Sequence, residues 1–414
     1  MTLPHHHKRT DCRLCASTVL ECVLRLTPTP PANALVSVAE RGKAQAAYPL
    51  DVYRCAECGH LQLLDIVDPE VLFTHYLYVS STSPVMVEYL RKQCVSIVRR
   101  LQLKPGDLVV EFGSNDGTLL RFFKEAGMRV LGVDPAANVA PDSAEIETVA
   151  DFFNAEVGGR IREKYGRAKA ICAYNVCAHI DDFRGVIDGV RSLLAPDGQF
   201  VFEVGYLLDV YRKTLFDTIY HEHVDFHHVE PLKLFFSKCG LNLMHVERSD
   251  IQGGALVGYV GTPATGQADG SVDDLIAMEH EAGLHRADTF RRWEAAIAQR
   301  GEELMMLLRG LRAKGKSIAA YGAPAKATTL MHHFGLDSSL LDYIVDDNPL
   351  KQGMLTPGLH IPVCSPDVLY QKKPNYVLML AWNFAAPIIK KHGRYAGGES
   401  RFILPLPNLA IVGE

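Results

Sequence analysis

Short apolar runs, each closed by a turn and followed by an amphipathic stretch, recur in two parts of the chain. In the first, Leu108-Val109-Val110-Glu111-Phe112 leads through a glycine-rich turn into a helix from Thr118 to about Ala126, and then into Arg129-Val130-Leu131-Gly132-Val133-Asp134. That alternation predicts a βαβ unit and a parallel sheet. Residues 170–176 read as a fourth strand, with Asn175 and His179 at the C-terminal edge, where open α/β sheets bind ligands. The second stretch repeats the pattern: a strand over 317–321, the turn Gly322-Ala323-Pro324-Ala325-Lys326, a helix from Thr328 to His333, and further strands at 343–345 and 376–380. Between the two, the spacing of Phe290, Trp293, Ile297, Leu304, Leu307 and Leu311 predicts one long helix from about Asp274 to Lys314, whose apolar stripe faces a core or another domain.

Length adds that 414 residues exceed one ordinary core, so two or three domains are expected. A formal net charge of −5 gives no basic field, and no Lys/Arg-rich stripe with interleaved aromatics offsets it, which argues for a small-molecule partner and against nucleic acid. No stretch is apolar for the roughly 18 residues a membrane span needs, and the N-terminus lacks the apolar core of a signal peptide. A cytoplasmic protein with reduced cysteines is expected. His5-His6-His7 has no cysteine partners and reads as an unstructured terminus.

The ten cysteines include two close pairs, Cys12-x-x-Cys15 and Cys55-x-x-Cys58. This is zinc-ribbon spacing: two knuckles each present two thiolates to one tetrahedral Zn²⁺, which replaces the core that about 60 residues could hardly build. With all four positions filled by protein, the site is closed and structural.

The turn Glu111-Phe112-Gly113-Ser114-Asn115-Asp116-Gly117 precedes a helix N-terminus, and Asp134 closes the second strand where a carboxylate can take both ribose hydroxyls. A dinucleotide site prefers G-x-G-x-x-G, whereas Asn115 occupies the middle glycine position here. The segment instead resembles the loop of class I S-adenosylmethionine (AdoMet) methyltransferases, whose ligand has no pyrophosphate to cradle. Glu111, Gly113, Ser114, Asn115, Asp134 and Asn175 are the expected AdoMet contacts, with Phe153 flanking the adenine.

Downstream, Tyr220-His221-Glu222-His223 packs a phenol, two imidazoles and a carboxylate into four positions, a density suited to acid–base chemistry on carbon. The order of these motifs, with Glu203-Val204-Gly205-Tyr206, the run from Tyr321 to Lys326 and Asp347-Asn348-Pro349, resembles the sugar-nucleotide C-methyltransferases of deoxysugar pathways. One departure is Gly205, where the family favours proline. The resemblance spans nearly the whole chain and implies an α/β fold in three parts. These are a zinc-ribbon-like domain (1–70), a class I Rossmann-like AdoMet-binding core (71–265) and a second Rossmann-like domain that binds a nucleotide-sugar (266–414).

It also implies a reaction: deprotonation at C3′ of a dTDP-4-keto-deoxysugar and methylation of the enolate. In that scheme His223 is the base and Glu222 orients it or raises its basicity. Tyr220 and His179 bond the enolate oxygen or relay a proton. Tyr76 or Tyr78 faces the sugar. Ser81, Tyr321, Gly322, Lys326 and Asn348 complete the substrate site. In an extended run, residues 220 and 222 would share one face and 221 and 223 the other. An O- or N-methyltransferase would use the same AdoMet core without needing a ketone, and a zinc-containing RNA-modifying enzyme or a nicotinamide enzyme are further alternatives. The oligomeric state stays open, a monomer being compatible.

Overall fold

Runs that are apolar on both faces need cover on both, so they become the central strands of two parallel-rich sheets. The computed structural model describes residues 5–73, 79–136, 138–141, 145–392 and 401–413. Its largest sheet has seven strands, and the expected βαβ unit forms its middle. In spatial order these are Asn242–Ser249, Ala255–Gly261, Leu194–Gly205, Ala168–Tyr174, Leu108–Phe112, Arg129–Val133 and Thr148–Val149. The last five run parallel, while Ala255–Gly261 is antiparallel and inserted beside Leu194–Gly205. This is the class I Rossmann-like core expected from the loop.

A six-stranded sheet follows, with Ile318–Tyr321 at its centre between Ile344–Val345 and Tyr376–Met379, all parallel. Strand order reverses on either side of Ile318–Tyr321, the kind of switch point outside which α/β sheets bind ligands.

The third sheet departs from a simple domain-by-domain order. Leu20–Leu24, Val52–Cys55 and Leu61–Leu63 are antiparallel neighbours, and the fourth strand, Asp225–Phe226, comes from far along the chain and pairs with Leu61–Leu63. A lobe this small gains an edge strand and buried area in that way. Its apolar residues, among them Leu14, Leu61 and Leu63, share one buried cluster with Phe183 and Phe235 of the seven-stranded unit.

Two expectations are corrected. His6–Lys8 is not an unstructured tract: it pairs antiparallel with Asp65–Val67, and the His6 ring meets Asp65 at 3.0 Å. The single long helix is two, Gly270–Ala282 and Ala287–Ala313, because Gly283 takes a left-handed φ of 78° and ends the first. The second packs on Leu20–Leu24 and on the helix Ala325–Phe334, so its stripe of Phe290, Trp293, Ile297 and Leu304 does face a core between lobes. Among the described residues no helix is long and apolar enough to cross a membrane.

The first of these helices supplies a buried anchor. Glu279 accepts from Tyr206 Oη (2.8 Å) and from the N–H groups of Val229 (2.7 Å) and Glu230 (3.2 Å), which lie in the first turn of helix Val229–Lys238. Glu279→Ala should lower stability by about 2–3 kcal/mol, because it orphans buried donors, and should shift the urea midpoint without changing its slope.

Candidate active site

Strand Leu108–Phe112 ends in a backbone that only glycine tolerates. Gly113 has a φ of 65°, its N–H donates to Val133 O (2.8 Å), and a Cβ there would stand 2.2 Å from Val176 Cγ2. Asn115 also takes a left-handed φ of 50°, and its N–H donates to Asp134 Oδ2 (2.8 Å). Asp134 Oδ1 accepts from Ala136 N (2.8 Å), so this carboxylate ties the glycine-rich loop to the end of the second strand. Above the loop lies a cavity of about 800 Å³, lined by Glu111, Gly113, Ser114, Asn115, Asp134, Phe153, Asn175 and His179. Every residue expected to contact AdoMet thus borders one space, large enough for a ligand of that size.

Electrostatics favour a cation there. Burial, with Asp134 and Asp116 nearby, pushes the Glu111 carboxyl well above the usual range, and one of its oxygens lacks a hydrogen-bond partner. A positively charged ligand would relieve that repulsion. Phe153 stacks on Phe112 at 4.7 Å and forms an apolar wall, with Phe152 also lining the cavity. Asp68, Pro69 and Phe73, at the end of the zinc lobe, also line the cavity.

Two groups that support the site were given no role from the sequence, although Glu203 stood in one of its motifs. Glu203, in an otherwise apolar strand, accepts from Asn175 Nδ2 (2.8 Å) and from Tyr89 Oη, and burial raises it to about 7. A carboxylate inside such a strand needs partners, and that is the signal the sequence offers. Tyr89, on the helix Pro84–Arg100, gives no such signal.

The Tyr220–His223 run is a turn, not an extended segment: His223 N donates to Tyr220 O at 2.8 Å. The turn brings residues 220 and 223 together, with Tyr220 Oη 3.0 Å from His223 Nε2. The other nitrogen, Nδ1, lies 2.7 Å from Thr218 O. A carbonyl can only accept, so Nδ1 carries the proton and Nε2 is left to accept from Tyr220. The group orienting His223 is therefore the Thr218 carbonyl and not Glu222, whose Oε1 instead accepts from Asn33 Nδ2 at 2.7 Å. Burial lowers His223 to about 4 and raises Glu222 to about 7. The His221 ring, 3.2 Å from Tyr48 O, faces the zinc lobe.

His179 links this turn to the cavity. It lines the cavity wall, its ring centroid is 5.0 Å from that of His223 and 5.4 Å from Phe73, and burial depresses its pKa well below the ordinary value. Tyr76 and Tyr78 lie outside the described residues. Ser81 is exposed; its N–H donates to Asp116 Oδ2 (3.1 Å), while Ser80 borders the cavity.

In the C-terminal sheet, Gly322 has a φ of 90° and its N–H donates to Val345 O (2.7 Å). Lys326 is buried, 3.7 Å over the Trp382 ring and 2.7 Å from Asn383 Oδ1. Burial lowers it to about 8, with Asp217 opposing that shift. Trp382 Nε1 donates to Asp217 Oδ2 (2.6 Å), and Thr329 Oγ1 to Ile219 O (2.7 Å), so this module docks on the segment that enters the Tyr220 turn. Tyr321 is buried, donating to Asp347 Oδ2 (2.8 Å), and Asn348 Oδ1 accepts from Leu350 N within its own turn (3.0 Å).

At the other end, Ala16 N donates to Cys12 O (2.8 Å) and Gly59 N to Cys55 O (3.0 Å), with left-handed φ values of 60° and 80°. The two knuckles are thus built alike. Sulfur separations are 3.6 Å for Cys12–Cys58 and 3.5 Å for Cys15–Cys55, and all four Sγ atoms lie within 4.8 Å of one another. Tetrahedral Zn²⁺ with bonds of about 2.3 Å requires edges of about 3.8 Å, whereas a disulfide requires about 2.0 Å. The four thiols fit zinc.

The sheet, the loop and the cavity define an AdoMet-dependent methyltransferase that carries a zinc-binding lobe. Family models match along the chain: a zinc binding domain over residues 12–73, a methyltransferase domain over 86–246 and a C-methyltransferase C-terminal domain over 250–407. The C-methyltransferase NovU of Streptomyces niveus is 36% identical over 405 residues, covering 97% of this chain and 96% of NovU. The chain belongs to this C-methyltransferase family. Among solved structures, a SAM-dependent methyltransferase from Anabaena variabilis ATCC 29413 is 17% identical, covering 42% of this chain and 84% of its own (TM-score 0.34). Magnesium protoporphyrin IX methyltransferase ChlM from Synechocystis PCC 6803 with bound SAH is 14% identical, covering 44% and 87% (TM-score 0.34).

Gly113→Ala should weaken AdoMet binding by about 10-fold or more, read by calorimetric titration, because its methyl group meets Val176 and its φ disfavours any side chain. Cys55→Ser should release zinc, detected by a colorimetric chelator, and lower the melting temperature.

Proposed function

We propose that this C-methyltransferase acts on a dTDP-linked 4-keto-deoxysugar, removing the C3′ proton and methylating the resulting enolate. The observation that carries the reading is the Tyr220–His223 pair. A neutral imidazole with its tautomer fixed by Thr218 accepts from a phenol beside His179, and His179 borders the AdoMet cavity. Transfer to oxygen or nitrogen needs no such base for a carbon-bound proton.

AdoMet supplies the methyl group from its sulfonium when bound. Glu111, Asp134 and Asn175 hold it, with Phe153 as the apolar wall. As the C3′ proton passes to Tyr220 Oη, the phenolic proton passes to His223 Nε2, so the pair gains one proton and the substrate becomes an enolate. His179, neutral at pH 7, donates an N–H to the C4′ oxygen as charge builds there. Phe73, stacked on His179 at 5.4 Å, offers an apolar face that limits water beside this anion.

Support for a nucleotide-bearing substrate comes from a likeness between the two α/β units. Asp346 Oδ2 accepts from Ala323 N (2.6 Å) and Oδ1 from Asn348 N (2.8 Å), the same pair of bonds that Asp134 makes with Asn115 and Ala136. A glycine of positive φ bonded to the second strand precedes each. A turn of this build, with Lys326 at the following helix N-terminus, suits a nucleoside phosphate.

The test is incubation with AdoMet and a dTDP-4-keto-2,6-dideoxyhexose in deuterated buffer, followed by mass spectrometry. Wild type should add a methyl group; without AdoMet it should take up deuterium at C3′. His223→Asn and Tyr220→Phe should each slow the exchange by about 10²-fold or more. Absence of both methyl gain and exchange across several keto-sugars would overturn the reading. An unperturbed imidazole would lose its free base near pH 6.5. Burial puts His223 at about 4, so exchange should stay constant from pH 8 to about 5 and fall only below that.

A further inference from the structure

Arg13 stands between Cys12 and Cys15 in the first knuckle, and its side chain is fully buried. Its guanidinium reaches two separate chain segments. Nε donates to Asp181 Oδ1 (3.1 Å), and Nη1 donates to Leu63 O (2.7 Å) and Val224 O (3.3 Å). Asp181 lies two residues beyond His179, and Val224 directly follows His223. The segments also meet each other, Val224 N donating to Ala178 O at 2.8 Å. Gln62 Oε1 accepts from both Arg13 N (3.1 Å) and Nη1 (3.0 Å), and Asp225 lies 3.8 Å away.

We propose that Arg13 is a positioning residue: it fixes the 5.0 Å approach of His179 and His223 and so couples the zinc knuckle to the reaction. The inference rests on the reading of these two histidines as reactive groups. Its physical basis is the shape of the side chain. A planar fork can serve a carboxylate from one segment and a carbonyl from the other at fixed angles, which the single point charge of lysine cannot. Nη2 is buried without a hydrogen-bond partner, so the bonds of Nε and Nη1 carry the compensation of this buried cation, and slack in either would remove it. The backbone at Arg13 is set in turn by its knuckle, where Cys12 N donates to Ser17 O (2.9 Å) and Ala16 N to Cys12 O (2.8 Å).

The test compares the zinc-loaded full chain with Arg13→Lys, Asp181→Asn and Arg291→Gln. The last removes another contact of the zinc lobe, the bond from Arg291 to Glu21, without touching either histidine segment. Four quantities are read: zinc content, AdoMet affinity, kcat on the keto-sugar, and the ¹⁵N imidazole resonances of His179 and His223. For Arg13→Lys we expect retained zinc, AdoMet affinity within about threefold, and kcat lower by about 10- to 100-fold. The His223 resonances should move from a fixed Nδ1–H tautomer toward an averaged one. Asp181→Asn should shift them the same way by less, and Arg291→Gln should match wild type.

Unchanged resonances and kcat in a zinc-retaining Arg13→Lys would overturn the proposal, as would a loss of kcat that only follows lost zinc. If Arg13→Lys does not fold, the Asp181→Asn spectra decide. If wild type methylates no keto-sugar, the reading of the reaction fails, while the imidazole spectra still decide whether Arg13 sets the two rings.

Discussion

Exclusion of water from the seam where the three sheets meet is the constraint on which the rest of the site depends. Desolvation is the largest cause of every shift there: it lowers His179, His221 and His223, raises Glu111 and Glu222, and lowers Lys326. Each of these moves favours the uncharged form. At neutral pH the resting seam therefore holds uncharged imidazoles, and the Glu222 carboxyl, raised to about 7, lies near its point of ionisation. A charged ligand entering such a region is felt strongly, because little water remains to screen it. In the proposed reaction, the dryness that keeps His223 an acceptor makes its low basicity a cost, which an anionic substrate beside it would offset.

The two α/β units show one backbone solution used with different side chains. Both place a glycine of positive φ after the first strand and an acid after the second, and both use that acid to fasten the loop. What differs is what stands above the loop. Over Gly113 the space is open and its wall is acidic, whereas beyond Gly322 the helix begins with a lysine laid across an indole. An acidic wall suits a cation, and a lysine at a helix N-terminus suits an anion. On the proposed function, a methyl donor and a phosphorylated acceptor would carry those opposite charges, a physical reason for keeping two such units in one chain.

Much of the fold was legible in the sequence because it is written in local patterns. The strands at 108–112, 129–133 and 376–379 coincide with the apolar runs, and the four zinc cysteines declare themselves by spacing. The AdoMet-type loop was legible for the same reason, because Glu111 to Gly117 are adjacent positions. What could not be read was any pairing made across the chain. Asp225–Phe226 joins the zinc lobe because of a partner at Leu61 and Gln62, which no local pattern encodes. Thr218 replaces Glu222 behind His223 because the run turns rather than extends, and a carbonyl leaves no mark in a sequence. The burial of Lys326 could not be read because Trp382, more than fifty residues on, is invisible from its own neighbourhood.

The pairing of Asp225 with the zinc lobe also changes what a structural metal means in this protein. A zinc ion that only stabilised its own knuckles would leave the reaction untouched until the lobe unfolded. Here the strand that follows Cys58 carries Leu63, whose N–H donates to Val224 O at 2.9 Å, and the first knuckle carries Arg13. The lobe also shares its apolar cluster with the methyltransferase core, so it cannot shift as a free body. Metal binding, lobe folding and the placement of the Tyr220–His223 turn are therefore parts of a single packed arrangement, in which the free energy of binding zinc also helps to hold the turn in place.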